Sequence, residues 1–332
     1  MTANPASSSR LTSSRSRRSP LAFDIPIPRH STVLTPASDG RAAAWPRRFS
    51  VASPTTLVVA KEELDERITD ESPELTQKSK QEILAEEIQE GLRELERPGS
   101  GLFLSGLSAG LDLGFGPLLM AVIFTLVGGA WGDPLTRIVV ANAYAVGFVF
   151  VIGGRSELFT EHTTRAALPA IDGRASVGQV GRLWALVYGG NVVGGLLFAV
   201  SMVYFAPAYG IVEEQAFVEI GRNLVDHVWW LILAGGVTAG WMMGLLSWLL
   251  TAAKGSTARI IVVWLVTTSI GLAHLPHSIA GNIEVLAATL TSPAIGAVDY
   301  LAFLALATVG NAVGGVIFVA VLKYGHVVRG GE

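Results

Sequence analysis

Not one of the 332 residues is cysteine, which excludes disulfide staples and thiolate metal sites and leaves the redox compartment unmarked. Charge is nearly as scarce. Only 15% of the residues are Asp, Glu, Lys or Arg, against 50% hydrophobic, a balance too apolar for a soluble domain of this length. The acidic and His residues never fall into H-E-x-x-H, and no Walker or dinucleotide glycine loop occurs. The sequence therefore argues against an enzyme: no catalytic residue, metal or cofactor is expected, and no nucleic-acid partner.

Most of the charge there is lies outside long apolar runs. Residues 1–60 are dense in Ser, Pro, Ala and Arg, with eight arginines in the first fifty positions; this composition reads as a disordered basic tail, and it also fits a transit peptide. Residues 61–98 form an acidic linker in which 72–97, rich in helix formers and with Leu and Ile near helical spacing, is expected to be an amphipathic helix in a solvated or interfacial setting. Residues 99–328 hold six apolar stretches of bilayer-crossing length, at 101–127, 138–154, 183–205, 228–253, 260–290 and 300–322. Residues 329–332 are a short tail.

The remaining basic residues orient these spans. Arg165, Arg174 and Arg182 follow the second, Lys254 and Arg259 the fourth, Lys323 and Arg329 the sixth; the opposite loops offer only Arg137 and Arg222. Positive charge is retained inside, so both termini are expected in the cytoplasm and the protein in the plasma (inner) membrane.

The third and sixth spans repeat a pattern. "YGGNVVGGLLFAV" starting at Tyr188 and "TVGNAVGGVIFVAV" starting at Thr308 place Gly190, Asn191 and Gly194 opposite Gly310, Asn311 and Gly314, 120 residues later. Each copy is a small-residue surface suited to close helix packing. Three spans followed by three similar ones must sit inverted, with a substrate site near the midplane where interrupted helices meet. The same offset maps Glu157 onto His277 and puts breaks in the second and fifth spans, the latter permitted by Pro276 and Gly281.

These residues resemble the formate/nitrite transporter family. The resemblance rests on "SELFTEHTT" (from Ser156), "LVYGGNVVGGLLF" (from Leu186), "HSIA" (from His277) and "TVGNAVGGVIF" (from Thr308), in the family's order. It implies an all-α, aquaporin-like protomer of six transmembrane helices in two inverted repeats, one pore each, assembled as a homopentamer in the lipid bilayer. The expected cargo is a small monovalent anion, formate or nitrite, with a proton. By position, His277 and Thr160 would face the anion. Glu157, Leu158, Phe159 and Glu161 would form the gating loop, and Tyr144, Phe148, Leu158 and Ile270 the apolar constrictions. The chain departs from the family where Pro276 replaces an acidic residue, Gly281 an asparagine, and Gly240 another asparagine.

The chemistry suits those residue types. A bare anion is costly in hydrocarbon while its neutral acid is not, and an imidazole, with an ordinary pKa near 6.5, donates hydrogen bonds or protons in the physiological range. Glu157 and Glu161 fit backbone anchoring as well as gating. His162 and Glu284 read as structural, and Asp112, inside the first span, has no assigned role. A neutral-solute or water channel of similar shape is the alternative within transport; a non-transporting scaffold or sensor is the alternative outside it.

Overall fold

A computed structural model describes residues 77–127 and 134–330; the expected basic tail of 1–60 lies outside these. Every regular element among the described residues is helical. The first, α1 (Lys80–Glu96), starts later than the sequence suggests, because Ser79 and Glu82 form a reciprocal capping box that satisfies the first free amides. It ends where Pro98 forbids another turn. The helix is not merely interfacial: Ile83, Leu84, Glu87, Gly91 and Leu95 are buried. A side chain at position 91 would lie 2.4 Å from the Arg165 carbonyl oxygen.

The apolar part follows as α2 (Gly99–Leu113), α3 (Phe115–Leu126), α4 (Pro134–Gly154), α5 (Phe159–Arg165), α6 (Ala167–Ile171), α7 (Val177–Ala208), α8 (Glu214–Val225), α9 (Trp229–Ala252), α10 (Ser256–Leu272), α11 (Ser278–Thr291) and α12 (Ala297–Val313), continued by a π-helical turn (Gly314–Val321) into α13 (Leu322–Arg329). Five runs are long and apolar enough to cross a membrane: Gly99–Leu126, Pro134–Gly154, Val177–Ala208, Trp229–Ala252 and Ala297–Arg329. This is a multi-pass membrane protein. Six such runs are expected from the sequence; at the fifth, helix α10 stops after 17 residues and the chain leaves helical geometry before α11 begins.

Two helix pairs build the frame, α2 against α7 and α9 against α12. At Gly110 a Cβ would stand 2.3 Å from the Asn191 carbonyl oxygen, and at Gly240 one would stand 2.1 Å from that of Asn311. Real atoms never approach so closely, so both positions need hydrogen as a side chain. This explains the departure at Gly240: the contact leaves no room for an asparagine. Gly281, expected at a break, instead sits inside α11 against the Phe303 ring, 2.4 Å from where its Cβ would be.

Candidate functional site

Two interruptions of the helices create the site. Helix α4 ends in a turn whose Ser156 amide donates to the Val151 carbonyl (3.0 Å), with Arg155 at φ 57°. Helix α10 ends the same way: the Leu275 amide donates to Ile270 (3.1 Å) and His274 has φ 49°. Both are Schellman-type stops, with a left-handed residue that is ordinarily glycine; for a side-chain-bearing residue that conformation costs about 1–2 kcal/mol. Each chain then re-enters a helix from an extended N-cap residue, Leu158 (φ −107°, ψ 124°) before α5 and His277 (φ −104°, ψ 120°) before α11.

The asparagines of the repeat hold both turns. The Asn191 Oδ1 accepts from the Phe159 amide (2.8 Å), and its Nδ2 donates to the carbonyls of Glu157 (2.8 Å) and Gly106 (2.8 Å). Asn311 does the same for Ser278 (2.8 Å), Pro276 (2.9 Å) and Gly236 (2.8 Å). A primary amide offers one acceptor and two donors, so each side chain satisfies the two break groups, an amide and a carbonyl, that no helix ladder pairs, and adds a bond to a frame-helix carbonyl. These matches correct the sequence alignment by one residue. Glu157 corresponds to Pro276, and Leu158, not Glu157, corresponds to His277. The asparagines are also more than packing residues: they tie each break to its frame helix.

His277 and Thr160 are brought together as expected. Thr160 Oγ1 and His277 Nε2 lie 2.9 Å apart, both fully buried. The other ring nitrogen, Nδ1, accepts from the Ala280 amide (3.2 Å) and caps α11. A nitrogen that accepts from an N–H carries no proton, so His277 is the neutral tautomer with its hydrogen on Nε2, aimed at the Thr160 oxygen. The Phe148 ring stands edge-on to the imidazole at 5.1 Å, and Tyr144 follows Phe148 at 5.0 Å. Leu158 and Ile270 are fully buried. Ile270, Tyr144 and His277 line one small cavity of about 20 Å³ on the side facing α8, room for about one water.

The expected gating residues divide. Phe159 packs its ring between Tyr188 (5.0 Å) and Trp184 (5.9 Å). Glu157 accepts a hydrogen bond from Arg97 and pairs with His162, and its amide donates to Ser105 (3.1 Å). Glu161 accepts from Arg165 (2.7 Å). Arg165 also approaches Glu87 of α1 (3.7 Å), whose carboxylate accepts from Ser247 and Thr251 of α9. Glu157, Glu161, Arg165 and Thr251, with Arg155 and Arg259, border a polar cavity of about 460 Å³, on the α1 side of the first break. Asp112 gains partners here, Ser108 (3.2 Å) and Ser156 (3.4 Å).

The formate/nitrite transporter profile matches residues 81–325. The chain belongs to the formate/nitrite transporter family. The inner membrane protein YfdC of Escherichia coli is 30% identical over 242 residues, 72% of this chain and 76% of that one. Among solved structures, a channel described as an FNT family ion channel aligns with a TM-score of 0.64 at 23% identity over 73% of this chain and 97% of its own. A pentameric formate channel with formate bound aligns at 0.57 and 21% identity over 69% and 98%. At those identities the structural likeness establishes the fold: the all-helical arrangement of this family.

Proposed function

We propose that this protein is a membrane channel or transporter for small monovalent weak-acid anions of the formate or nitrite class, moving with a proton. The observation that carries the reading is the buried hydrogen bond between Thr160 and His277, placed where the two helix breaks meet and walled by Phe148 and Tyr144. The matching profile and the formate-bound relative support the cargo. The pentameric relative supports a homopentamer, each protomer with its own path through two inverted halves; the inner membrane protein YfdC supports the inner membrane, and the basic loops support cytoplasmic termini.

In this reading an anion sheds water against the Tyr144, Phe148, Leu158 and Ile270 surfaces, where charge is costly. Between them it meets the Thr160 hydroxyl and the His277 Nε2–H. Because Nε2–H donates, the Thr160 hydroxyl hydrogen is free to turn toward an oxygen of the passing anion. The Ala280 hydrogen bond narrows the part of His277: accepting a second proton at Nδ1 means giving up the cap of α11, so it acts as a hydrogen-bond donor in the neutral state. Glu157, Phe159 and Glu161 serve as the anchored rim on the α1 side.

Purified protein in liposomes tests this. Formate or nitrite uptake is expected to exceed that of empty liposomes and to rise with an inward proton gradient. Hydrogen bonds to a charged group contribute about 1.5–3 kcal/mol, so His277→Phe is expected to slow uptake by about tenfold or more. Undiminished uptake in the variant removes the histidine from the path. Water or glycerol permeation without anion flux replaces the reading with a neutral-solute channel.

A further inference from the structure

Proton-linked transport needs a group that can release a proton within the pathway. His277 is poorly placed to be it. Its single proton, on Nε2, cannot leave without making an imidazolate, and its Nδ1 is occupied by the Ala280 amide. A second ionisable group shares its cavity. Glu284 lies seven residues after His277 on α11, two helical turns further on the same face and about 10 Å along the axis. It lines the same cavity of about 20 Å³ as His277, Tyr144 and Ile270.

Its surroundings do not explain it as a structural residue. The side chain is buried (6% exposed) and has no hydrogen-bond or ion-pair partner among the described residues. The wall opposite is apolar: Ile220 and Leu224 come from α8, and Met120 from α3. The titratable groups of this cavity besides Glu284 are Tyr144, His274 and His277, none of them a standing cation that would pair with a carboxylate. Every other buried carboxylate described has partners: Glu87 has Ser247 and Thr251, and Glu161 has Arg165. Burial without a partner is costly and marks an intramembrane ionisable group as functional.

We propose that Glu284 is the proton-exchanging residue of the pathway, donating its carboxylic-acid hydrogen to a monovalent oxyanion or carboxylate as it reaches the cavity from the α8 side. The hydrogen on a Glu284 Oε moves to an oxygen of the anion, leaving the Glu284 carboxylate and a neutral acid. The neutral acid then crosses the Thr160–His277 pair, and the carboxylate regains a proton from solution on the α8 side. A cavity of about 20 Å³ is smaller than a three-heavy-atom anion, so its arrival also displaces a lining side chain.

This assignment rests on the transport reading above, and the test separates the two. Formate uptake and luminal acidification are measured together, the latter with a trapped pH dye, for wild type, Glu284→Gln and Glu284→Asp. Proton transfer by a positioned group is worth about 10²–10⁴-fold. Glu284→Gln is therefore expected to lose at least about tenfold of the proton-driven uptake, and Glu284→Asp to restore part of it. A merely structural residue gives the opposite order, since Gln keeps the shape and Asp does not. A second measurement uses the wild type: the carbonyl stretch of a protonated carboxylic acid, seen by infrared difference spectroscopy, is expected to change when nitrite is added and to be missing from Glu284→Gln. Wild-type protein that moves neither anion overturns the transport reading and this assignment with it. Wild-type uptake coupled to protons and matched by Glu284→Gln, or a wild-type infrared spectrum in which no carboxylic band responds to nitrite, overturns the assignment of Glu284 alone.

Discussion

The two helix breaks share a backbone and differ in everything attached to it. Residues 155–158 and 274–277 take the same turn, carry a left-handed residue at the same place, end on the same extended N-cap and are pinned by Asn191 and Asn311 through matching sets of three hydrogen bonds. The first break is dressed with charge: Glu157, His162, Arg97, Glu161 and Arg165, beside a cavity of about 460 Å³. The second is dressed with Pro276, an imidazole and apolar rings, beside a cavity of about 20 Å³. Main-chain hydrogen bonds in a membrane have no water to fall back on, so the backbone solution is rigid. The side chains on it are free to differ. One break is set among charged, hydrogen-bonded groups beside a wide cavity, and the other among apolar rings beside a narrow one.

Breaking the shared scaffold has the largest expected effect. Asn191→Ala or Asn311→Ala strands two backbone groups at its break, Phe159 N–H and Glu157 C=O or Ser278 N–H and Pro276 C=O, each costing about 1–3 kcal/mol when left unpaired. Both variants are expected to lose monodisperse protein in detergent size-exclusion chromatography, and to a similar extent. A tolerant Asn311→Ala beside a disrupted Asn191→Ala means that the two breaks are not equivalent in energy. Next comes the helix contact. Gly240→Ala places a methyl carbon against the Asn311 carbonyl oxygen, and overpacking of this kind costs about 1–3 kcal/mol. A thermal midpoint lowered by several degrees is expected, and an unchanged one shows that α9 and α12 can separate freely.

A smaller effect sharpens the contrast in chemistry. If the polar rim anchors while the dry passage conducts, Glu157→Gln keeps the shape and the amide contact to Ser105, and formate uptake is expected to stay within about threefold of wild type, under 1 kcal/mol. A tenfold loss transfers the conducting role to the first break as well. The smallest effect lies outside the membrane. The Arg174 side chain, and then the Tyr324 hydroxyl at 2.8 Å, hold the Asp172 carboxyl below the ordinary carboxylate range. A group with a depressed folded pKa stabilises above its unfolded value and ceases to do so as pH falls through the folded one. Amide exchange in α13, corrected for the intrinsic rate, is therefore expected to be level from pH 7 to about 5 and to rise only below about pH 4. A rise at pH 6 points to another group.

Much of this was legible in the residues. Long uncharged runs force helices across a bilayer, and the repeated Gly-Asn-x-x-Gly pattern marked the paired halves, because glycine tolerates contacts no other residue can. Thr160 and His277 came together as their motifs implied. The one-residue misalignment of the breaks was not avoidable from sequence: the 120-residue spacing of Asn191 and Asn311 is real, but the turns they clamp are 119 apart, so a single offset cannot describe both. The fifth span, expected as one broken crossing, divides at 273–277, where Ala-His-Leu-Pro-His interrupts the apolar run, into two helices each too short to cross alone. Glu284 reads as structural in the sequence because nothing there says what lies opposite it, and only the packing of α8 and α3 reveals an apolar wall. The burial of Glu87 under α1 was hidden for the same reason; nothing in an amphipathic pattern distinguishes a membrane surface from a neighbouring helix.

The central claim is that the cargo, as the anion or as its neutral acid, passes between Thr160 and His277. The most direct measurement is a cryo-EM map of the protein at saturating nitrite. Density is expected within hydrogen-bonding reach of both Thr160 Oγ1 and His277 Nε2, with their direct contact opened to admit it. Nitrite resolved elsewhere within the protomer, with the Thr160–His277 bond still closed in protein that transports nitrite, contradicts the account.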